Sequence, residues 1–263
     1  MQQDGQRATG TVTGRALRVL EAFSSDRPVL RLTDVARRSG LPLTTAYRLV
    51  KELTCWGALE REDGGGYRIG LRLWEIAALA PRGLGLRELA LPYLADLCQF
   101  TRENVQLAVR EDLSVVYVER LAGRGAVPVL TRVGGRFALA PTGVGLVLLA
   151  HAPEGVQQRV LARPLTRYTE KTLCQAEQLR RALAEVRHTG VAVSDRQITM
   201  DSMSVAAPVY GPGRTVVAAV SVVAHAETVH PHALIPLVQV AARGISRALG
   251  ASLTPEGVPA ASA

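Results

Sequence analysis

The chain has 263 residues, a formal net charge of +8 at pH 7 and 48% hydrophobic residues. That hydrophobic content supplies a sizeable core and excludes a wholly disordered chain. The basic balance favours an anionic partner such as nucleic acid or a membrane surface, although a protein that simply carries excess arginine is the alternative.

The cysteines and the first residues of the chain indicate the cellular compartment that we expect for the protein. Cys55, Cys98 and Cys174 are isolated and form no Cys-x-x-Cys pair, so we expect no disulfide framework, no zinc site and a reducing environment. The first residues carry no apolar stretch of the signal-peptide kind, and the apolar runs are too short to span a membrane. We therefore expect a cytoplasmic protein without a membrane partner, with a disordered arm (1–12) and a flexible tail (251–263).

The first 70 residues predict three helices and a hairpin. Apolar residues recur at helical spacing over 14–24. A second helix is expected to be capped by Thr33 and stopped by Gly40. A third helix runs from about Leu43 to Trp56. The segment LEREDGGGYRIG (59–70) then places two short strands around a Gly-rich turn.

The rest of the chain mixes helices and strands. A helical stretch over 71–80 stops at Pro81, the expected domain junction, and an amphipathic helix follows over 84–97. The order of elements predicts an α+β sheet domain. The expected strands are NVQLAVR, SVVYVER, AVPVLTRV, VAVS, SVAAPVY and TVVAAVSVV, and the expected helices cover 142–151, 175–189 and 231–249.

The segment LTDVARRSGLPLTTAYRLVKEL (32–53) has the pattern of a helix-turn-helix. Ala36 is small enough for a close helix crossing, and Gly40 tolerates the positive φ that the corner needs. The second helix of the pair offers Ala46, Leu49, Val50 and Leu53 to the first. Its other side carries polar and basic residues, which can reach phosphates and base edges in a major groove. Five basic residues and one acid between Arg31 and Lys51 give a local net charge of +4.

The predicted DNA interface combines this helix with the hairpin, which has the length of a wing. Glu60, Glu62 and Asp63 in the hairpin oppose such a contact. The alternative is an all-helical packing module that does not bind DNA. We expect Thr44, Thr45 and Arg48 to read bases and Tyr47 and Lys51 to position the helix. The candidate DNA-binding residues are Arg31, Thr33, Leu43, Thr44, Thr45, Tyr47, Arg48, Lys51, Arg61 and Arg68.

Motifs for common catalytic chemistry are missing from the second half. It contains no Gly-x-Ser-x-Gly, no Walker loop, no Gly-x-Gly-x-x-Gly after a strand and no His-Glu-x-x-His. His230 and His232 lack an acidic or cysteine partner, and Asp195 with Asp201 show no substrate cleft, so we predict neither a metal nor a catalytic site. A sheet domain with an apolar pocket and a few polar groups is typical of a small-molecule receptor.

The chain resembles the IclR family of bacterial transcription regulators from about Thr13 to Leu249. The matching pieces, in order, are GRALRVLEAF, LTDVARRSGLPLTTAYRLVKEL, GALEREDGGGYRIG, LRELALPYLADLCQFTRENVQLAV, RVGGRFALAPTGVGLVLLA and SVAAPVYGPGRTVVAAVSVV. The resemblance implies a winged helix-turn-helix domain (13–70), a linker helix (71–83) and a GAF-like effector domain (84–250) with a central antiparallel sheet. It also implies homodimers or homotetramers on near-palindromic operator DNA, and a small-molecule effector.

Transferring the family's ligand-contacting positions to this sequence gives eight candidate effector-binding residues. We expect no cofactor. Backbone N–H groups at a helix start would favour an anionic ligand. The set is Val129, Phe137, Gly143, Val144, Asp195, Gln197, Ser204 and Ser221. Departures from the family pattern include Leu146 for a basic residue, Gln197 for Glu and Asp201 for Gly. These leave a small organic acid, an aromatic or less charged metabolite, and a degenerate pocket all open.

Two further hypotheses belong to other functional classes. One is a metabolic enzyme whose helical N-terminal segment is a dimerisation arm. The other is a GAF-like sensor that acts on a protein partner through its N-terminal module.

Overall fold

The computed structural model describes residues 10–80 and 84–251. The chain divides into two compact units, Met1–Pro81 and Arg82–Ala263, and each is described here by itself. Most of the predicted arm (1–9), the end of the predicted linker (81–83) and most of the predicted tail (252–263) lie outside the described residues. In the described ranges, no helix is both long enough and apolar enough to cross a bilayer.

The first unit packs three helices against a small hairpin. Its core is built from Val19 of the first helix, Val35 of the second and Leu49 of the third, all at most 2% exposed. The elements are α1 (Val12–Glu21), α2 (Leu32–Ser39), α3 (Leu43–Trp56), β1 (Leu59–Arg61), β2 (Tyr67–Ile69) and α4 (Leu71–Ala77).

The starts of the first two helices differ from the prediction. The Thr11 hydroxyl accepts a hydrogen bond from Gly14 N at 3.0 Å, which caps α1 and starts it at Val12, inside the predicted arm. Helix α2 begins one residue early, with Arg31 as its N-cap and no side-chain cap. Thr33 is therefore a helical residue, and its prediction as the N-cap was wrong.

The corner between α2 and α3 has the predicted geometry. Gly40 lies at φ +66°, a left-handed conformation that disfavours side chains with a Cβ. The next amide, Leu41 N, donates to the Ala36 carbonyl at 3.0 Å, which closes the end of α2. Leu41 and Ala46 are buried behind this corner, so α3 is held against α2 by its apolar side.

The hairpin is antiparallel and is anchored to the helices. Glu60 pairs with Arg68 across the strands. The Leu30 and Tyr67 backbones exchange hydrogen bonds of 2.8 and 2.9 Å, which fixes the hairpin to the segment before α2. Helix α4 ends at Ala77, so the predicted helix over 71–80 was too long.

Helix α4 is attached to the end of α3 by one side chain. The Arg72 guanidinium lies 4.5 Å from the Trp56 ring centroid and donates to the Trp56 carbonyl at 2.9 Å. Cation–π contact and a bond to a helix-end carbonyl both favour this arrangement. The start of the linker is therefore coupled to the C-terminal end of α3.

The second unit is built on one antiparallel sheet of six strands, in the order β5-β4-β3-β8-β7-β6. Every pairing in it is antiparallel. The elements are α5 (Leu84–Thr101), β3 (Asn104–Glu111), β4 (Ser114–Leu121), β5 (Arg136–Ala138), α6 (Gly143–Ala150), α7 (Glu154–Leu161), α8 (Ala176–Thr189), β6 (Ala192–Asp195), β7 (Ser202–Tyr210), β8 (Val216–His225) and α9 (Pro231–Ala248).

Helices cover both faces of this sheet, so the strands are apolar on both sides. Leu107 of β3 lies in the core shared with α5 and α9, whereas the next residue, Ala108, lies in the core shared with α6 and α8. Every residue of α6 is buried, as expected for a helix packed on a sheet and flanked by others. The α+β class and the central antiparallel sheet are confirmed.

Three segments of this unit correct the prediction. The segment AVPVLTRV (126–133) forms no strand. Pro128 lacks the N–H that a ladder needs, and the Val127 carbonyl instead accepts a hydrogen bond from the Asn104 side chain at 2.7 Å. Strand β5 and helix α7 were both missed, because each is short and its apolar pattern is weak.

The burial of α6 gives a stability prediction. Leu149 is 0% exposed, whereas Leu89 of α5 is 44% exposed. Leu149→Ala should lower the free energy of unfolding by about 3 kcal/mol, because it removes buried methyl groups and leaves a cavity. Leu89→Ala, the matched control, should cost less than about 1 kcal/mol. Equal losses in urea titrations would contradict the assignment of α6 to the core.

Candidate nucleic-acid interface and effector cavity

Helix α3 presents one polar stripe outside the core. Thr44, Tyr47, Arg48 and Lys51 are all exposed, and their spacing of three and four residues puts them on one helix face. The opposite face contributes Ala46, Leu49 and Val50 to the core, with Leu53 partly buried. The division of α3 into a packed side and a polar side is therefore as the sequence predicts.

Neighbouring candidates lie around this stripe. Thr45 is half-buried at the edge of the exposed face, and Leu43 is 50% exposed in the first turn of α3. Arg31 and Thr33 are exposed at the start of α2. All ten predicted DNA-binding residues belong to the first unit, although their contacts with DNA remain a prediction.

The cations of this unit fall into two groups. Arg37 pairs with Asp34 at 2.6 Å, and Arg38 donates to the Ala22 carbonyl at 2.6 Å, which joins α2 to α1. Across the described residues, the side chains of Arg48 and Lys51 make no hydrogen bond or ion pair, and the same is true of the side chains of Arg31 and Arg61. The positive charge available to an anion is therefore smaller than the sequence count suggests, and part of it is concentrated on α3.

The two arginines of the hairpin differ in their contacts. Arg68 pairs with Glu60 at 2.8 Å and with Glu62 at 3.2 Å. The pKa of Glu60 is lowered by the Leu71 N–H and then by Arg68, so this carboxylate stays charged and occupied. Arg61 is exposed and, unlike Arg68, is free to meet a phosphate. Glu60 and Glu62, two of the acidic residues that would oppose a DNA contact, therefore form ion pairs with Arg68.

The second unit encloses a cavity of about 50 Å³ between the sheet, α6 and two irregular segments. Its sheet floor is polar at Gln106, and the start of α6 forms one wall. The lining residues are Gln106, Tyr117, Pro128, Val129, Leu130, Thr131, Phe137, Pro141, Thr142, Gly143, Val144, Ser194, Gln197, Ile198, Thr199, Ser202, Met203, Ser204 and Val223.

The polar side chains of this cavity are held by neutral hydrogen bonds. Gln106 Nε2 donates to Thr131 Oγ1 at 2.6 Å, which joins the irregular segment to β3. Thr142 caps α6 by accepting from Gly145 N at 3.0 Å. Gln197 Oε1 accepts from Leu173 N at 3.3 Å. No charged side chain lines the cavity in the described parts of the chain.

The Tyr117 hydroxyl is a further neutral group of the wall. Burial raises the pKa of Tyr117 well above its ordinary value, and a hydrogen bond with Thr142 opposes this only in part. The phenol therefore stays protonated at physiological pH and can donate to an acceptor. It lies at the capped start of α6, where the first backbone N–H groups also favour an acceptor.

Six of the eight predicted effector-binding residues line the cavity, namely Val129, Phe137, Gly143, Val144, Gln197 and Ser204. Asp195 is placed differently. It is exposed at the end of β6 and pairs with Arg196 at 3.1 Å, because alternation along the strand turns it away from buried Ser194. Asp195 therefore does not line this cavity, and its role in effector binding stays a prediction.

Ser221 also lies off the cavity wall. It is fully buried in β8, in register with Gln106 and Ala206, and its hydroxyl has no hydrogen-bond partner among the described atoms. It shares a strand face with Val223, which does line the cavity. Ser221 is therefore a neighbour of the site rather than part of its surface.

The sequence reading missed the polar residues that the sheet contributes. Gln106 interrupts the apolar strand NVQLAVR, and such a polar residue in a buried strand was the available signal. Thr131 gave no comparable signal, because its segment is irregular. Leu146, which stands where the family commonly has a basic residue, is 1% exposed in the core and does not line the cavity.

A winged helix-turn-helix unit joined to a sheet unit with a small-molecule cavity defines a DNA-binding transcriptional regulator controlled by an effector. The chain belongs to the IclR family. The family model for the C-terminal domain of the bacterial transcriptional regulator IclR matches residues 79–247, and the IclR helix-turn-helix model matches residues 12–63. Operator binding modulated by a small molecule is accordingly the function of this chain.

Similar proteins agree with this assignment. The HTH-type transcriptional regulator XynR of Escherichia coli is 30% identical, over 79% of this chain and 83% of its own length. An IclR homologue from Microbacterium hydrocarbonoxydans, crystallised with 4-hydroxybenzoate, is 37% identical with a TM-score of 0.87, covering 91% of this chain and 99% of its own. A homologue from Microbacterium sp. strain HM58-2 is 36% identical with a TM-score of 0.60, covering 92% and 99%.

The stripe on α3 gives a prediction that separates two roles. Arg48→Ala should weaken binding to a genomic fragment selected by the protein by about 5- to 150-fold, because a base contact is worth roughly 1–3 kcal/mol. Binding to a scrambled fragment should change much less. Lys51→Ala should weaken both about equally and reduce the salt slope by about one.

Fluorescence anisotropy at several salt concentrations would measure both effects. Arg181→Ala, which removes an exposed charge from α8, is the matched control and should keep the affinity within about twofold. An Arg48→Ala protein with unchanged preference for the selected fragment would remove Arg48 from the reading role.

Proposed function

We propose that α3 is the recognition helix and enters the major groove of an operator. The observation that carries this proposal is the exposed stripe of α3, whose two cations have no partner among the described residues. Thr44, Thr45 and Arg48 would contact base edges, and Tyr47 with Lys51 would hold the helix on the phosphates. Arg31 and Arg61, both exposed, would add phosphate contacts at the edges.

We also propose that the protein binds DNA as a homodimer. Outside the polar stripe, the first unit leaves large apolar side chains exposed, including Leu17 on α1 and Leu71, Trp74 and Ile76 on α4, each at least 50% exposed. Such a concentration favours burial against another chain. Two copies would place their recognition helices on half-sites about 34 Å apart, the repeat of the double helix.

The cavity supports a small aromatic hydroxy acid as the effector. Phe137 and Tyr117 supply aromatic surface, and Met203 and Val223 add apolar contact. A carboxylate would meet the first N–H groups of α6, at Gly143 and Val144, and a ring hydroxyl would meet the neutral polar side chains. The related protein crystallised with 4-hydroxybenzoate supports this class of ligand.

Effector binding must enlarge this cavity. Its volume of about 50 Å³ lies below the roughly 300–1,000 Å³ usual for small-molecule sites. The irregular wall that carries Val129 and Thr131 belongs to no helix or strand, so its displacement would open the cavity without breaking the backbone pairing of the sheet. A ligand that binds the enlarged form better shifts the protein towards it, and this differential affinity is what regulation requires.

We propose that the chain acts by binding alone, without catalysis, since its relatives are transcriptional regulators. The expected site of action is the cytoplasm, where operator DNA lies.

The dimer proposal predicts the effect of a charge on α4. Trp74→Glu should weaken self-association of the first unit and lower operator affinity by at least about tenfold, because a carboxylate is costly to bury. Ala184→Glu, which adds the same single carboxylate at an exposed position on α8 of the second unit, is the charge-matched control. Light scattering with operator titration would measure both, and a Trp74→Glu dimer of unchanged affinity would contradict the role of α4.

The effector proposal predicts binding of 4-hydroxybenzoate by the full chain. A Cβ at Gly143 would lie 2.5 Å from Ser204 Oγ, so Gly143→Ala should narrow the site and weaken binding by about tenfold or more. The double variant Gly143→Ala, Ser204→Gly should recover part of the loss. Isothermal titration and operator anisotropy would measure it, and normal response in Gly143→Ala would show that the site is misplaced.

A further inference from the structure

A second cleft, of about 560 Å³, lies at the other end of α6 from the effector cavity. It contains three arginines and one histidine, and no acidic residue lines it among the described residues. The lining residues are Arg110, Leu148, Ala150, His151, Ala152, Pro153, Arg187, Arg214, Thr215, Val216 and Val217. We call it the arginine cleft.

The four basic side chains come from four different elements. Arg110 lies on β3, His151 caps the C-terminus of α6, Arg187 lies in the last turn of α8, and Arg214 lies in the turn between β7 and β8. Positive charges gathered at one concave surface repel one another and create a potential that attracts anions. Their convergence is therefore not explained by packing alone.

Two of the arginines are tethered by a single bond each. Arg110 Nη1 donates to the Asp112 carbonyl at 2.9 Å, and Arg187 Nη1 donates to the Ala150 carbonyl at 3.3 Å. A guanidinium has five N–H donors, so each retains donors for a ligand while one hydrogen bond restrains it. Such tethering reduces the entropy lost on binding.

Arg214 is held in an uncommon backbone conformation. Its φ is +58°, in the left-handed region that non-glycine residues seldom adopt. A hydrogen bond of 2.9 Å from Gly211 N to the Thr215 carbonyl closes the turn around it. In the described chain, the Arg214 guanidinium has no hydrogen bond or ion pair.

The acids near the cleft do not neutralise it. Asp112 is paired with Arg159 at 2.8 Å, so its carboxylate is already occupied. Glu154 follows Pro153 at the start of α7 and is exposed, but it is not part of the lining. The charge balance at the cleft surface therefore remains positive.

We propose that the arginine cleft is a second ligand site, separate from the effector cavity, that binds the phosphate group of a small phosphorylated metabolite. A phosphate dianion matches several guanidinium groups because its oxygens accept paired N–H bonds. The volume leaves room for more than the phosphate itself. Leu148, Val216 and Val217 offer apolar surface to the remainder of the molecule.

The test uses the full chain and isothermal titration at constant ionic strength, with inorganic phosphate and glycerol 3-phosphate as probes. The wild type should bind both saturably, with a Kd of about 1 mM or tighter, and the ester at least as tightly as the ion. Arg214→Gln and Arg110→Gln should each weaken binding about tenfold. Arg181→Gln, an exposed neighbour on α8 outside the cleft, should leave the Kd unchanged.

Thermal unfolding of every variant serves as the folding check. The phosphate titrations themselves use neither 4-hydroxybenzoate nor the operator, and operator affinity is measured separately. Equal weakening by Arg181→Gln would show unspecific charge attraction and overturn the proposal. Saturable binding of inorganic phosphate without the ester would indicate an adventitious ion only and would also overturn it. A third contrary result is loss of operator affinity in Arg214→Gln with unchanged phosphate binding, which would make the cleft a DNA contact.

Discussion

The close packing of α2 against α3 is the constraint on which DNA recognition depends. Gly40 turns the chain through a conformation that other residues resist, and Ala36 and Ala46 allow the helices to approach. Because the apolar side of α3 is buried in this contact, its polar side faces outward. The side chains of Arg48 and Lys51 are left without partners in the described chain for the same reason, and this combination supports the proposal that the outer side of α3 reads DNA.

One contact within the first unit bears on the proposed link between DNA recognition and regulation. At the C-terminal end of α3, Arg72 links Trp56 to the first turn of α4. A change in the direction of α4 would therefore act on the end of α3 through the Arg72 side chain as well as through the hairpin. An effector that shifts the second unit between two states could use this connection, provided it binds the two states with different affinity.

Much of the fold could be predicted from the sequence because its signals are local. The helix-turn-helix follows from Gly40 and from apolar spacing, and the long strands follow from alternation. The start of α2 could not be predicted in this way, since Thr33 resembles a cap but Arg31 occupies the position without a side-chain bond. The prediction of a strand over 126–133, before β5, was also wrong. There the Asn104 side chain bonds to the Val127 carbonyl in place of a strand ladder, and this contact joins residues that are distant in the chain.

The residues that line the cavity of the second unit were also only partly predictable from the sequence. Gly143 was predicted because the family resemblance implies a ligand contact there, whereas Gln106 and Tyr117 line the cavity through strand pairings that no local pattern specifies. Asp195 lies outside the cavity lining because adjacent residues on a strand point to opposite faces, and Ser194 takes the inner one. Residues that line a cavity from several strands become visible only when register is known.

The most direct test of the account is hydroxyl-radical footprinting of the protein on a genomic fragment that it selects, repeated across a range of salt concentrations. The account predicts two protected tracts about one helical turn apart, with affinity that falls steeply as salt rises. Protection that is uniform along the DNA, or none at low salt, would contradict the central claim that α3 reads a specific sequence.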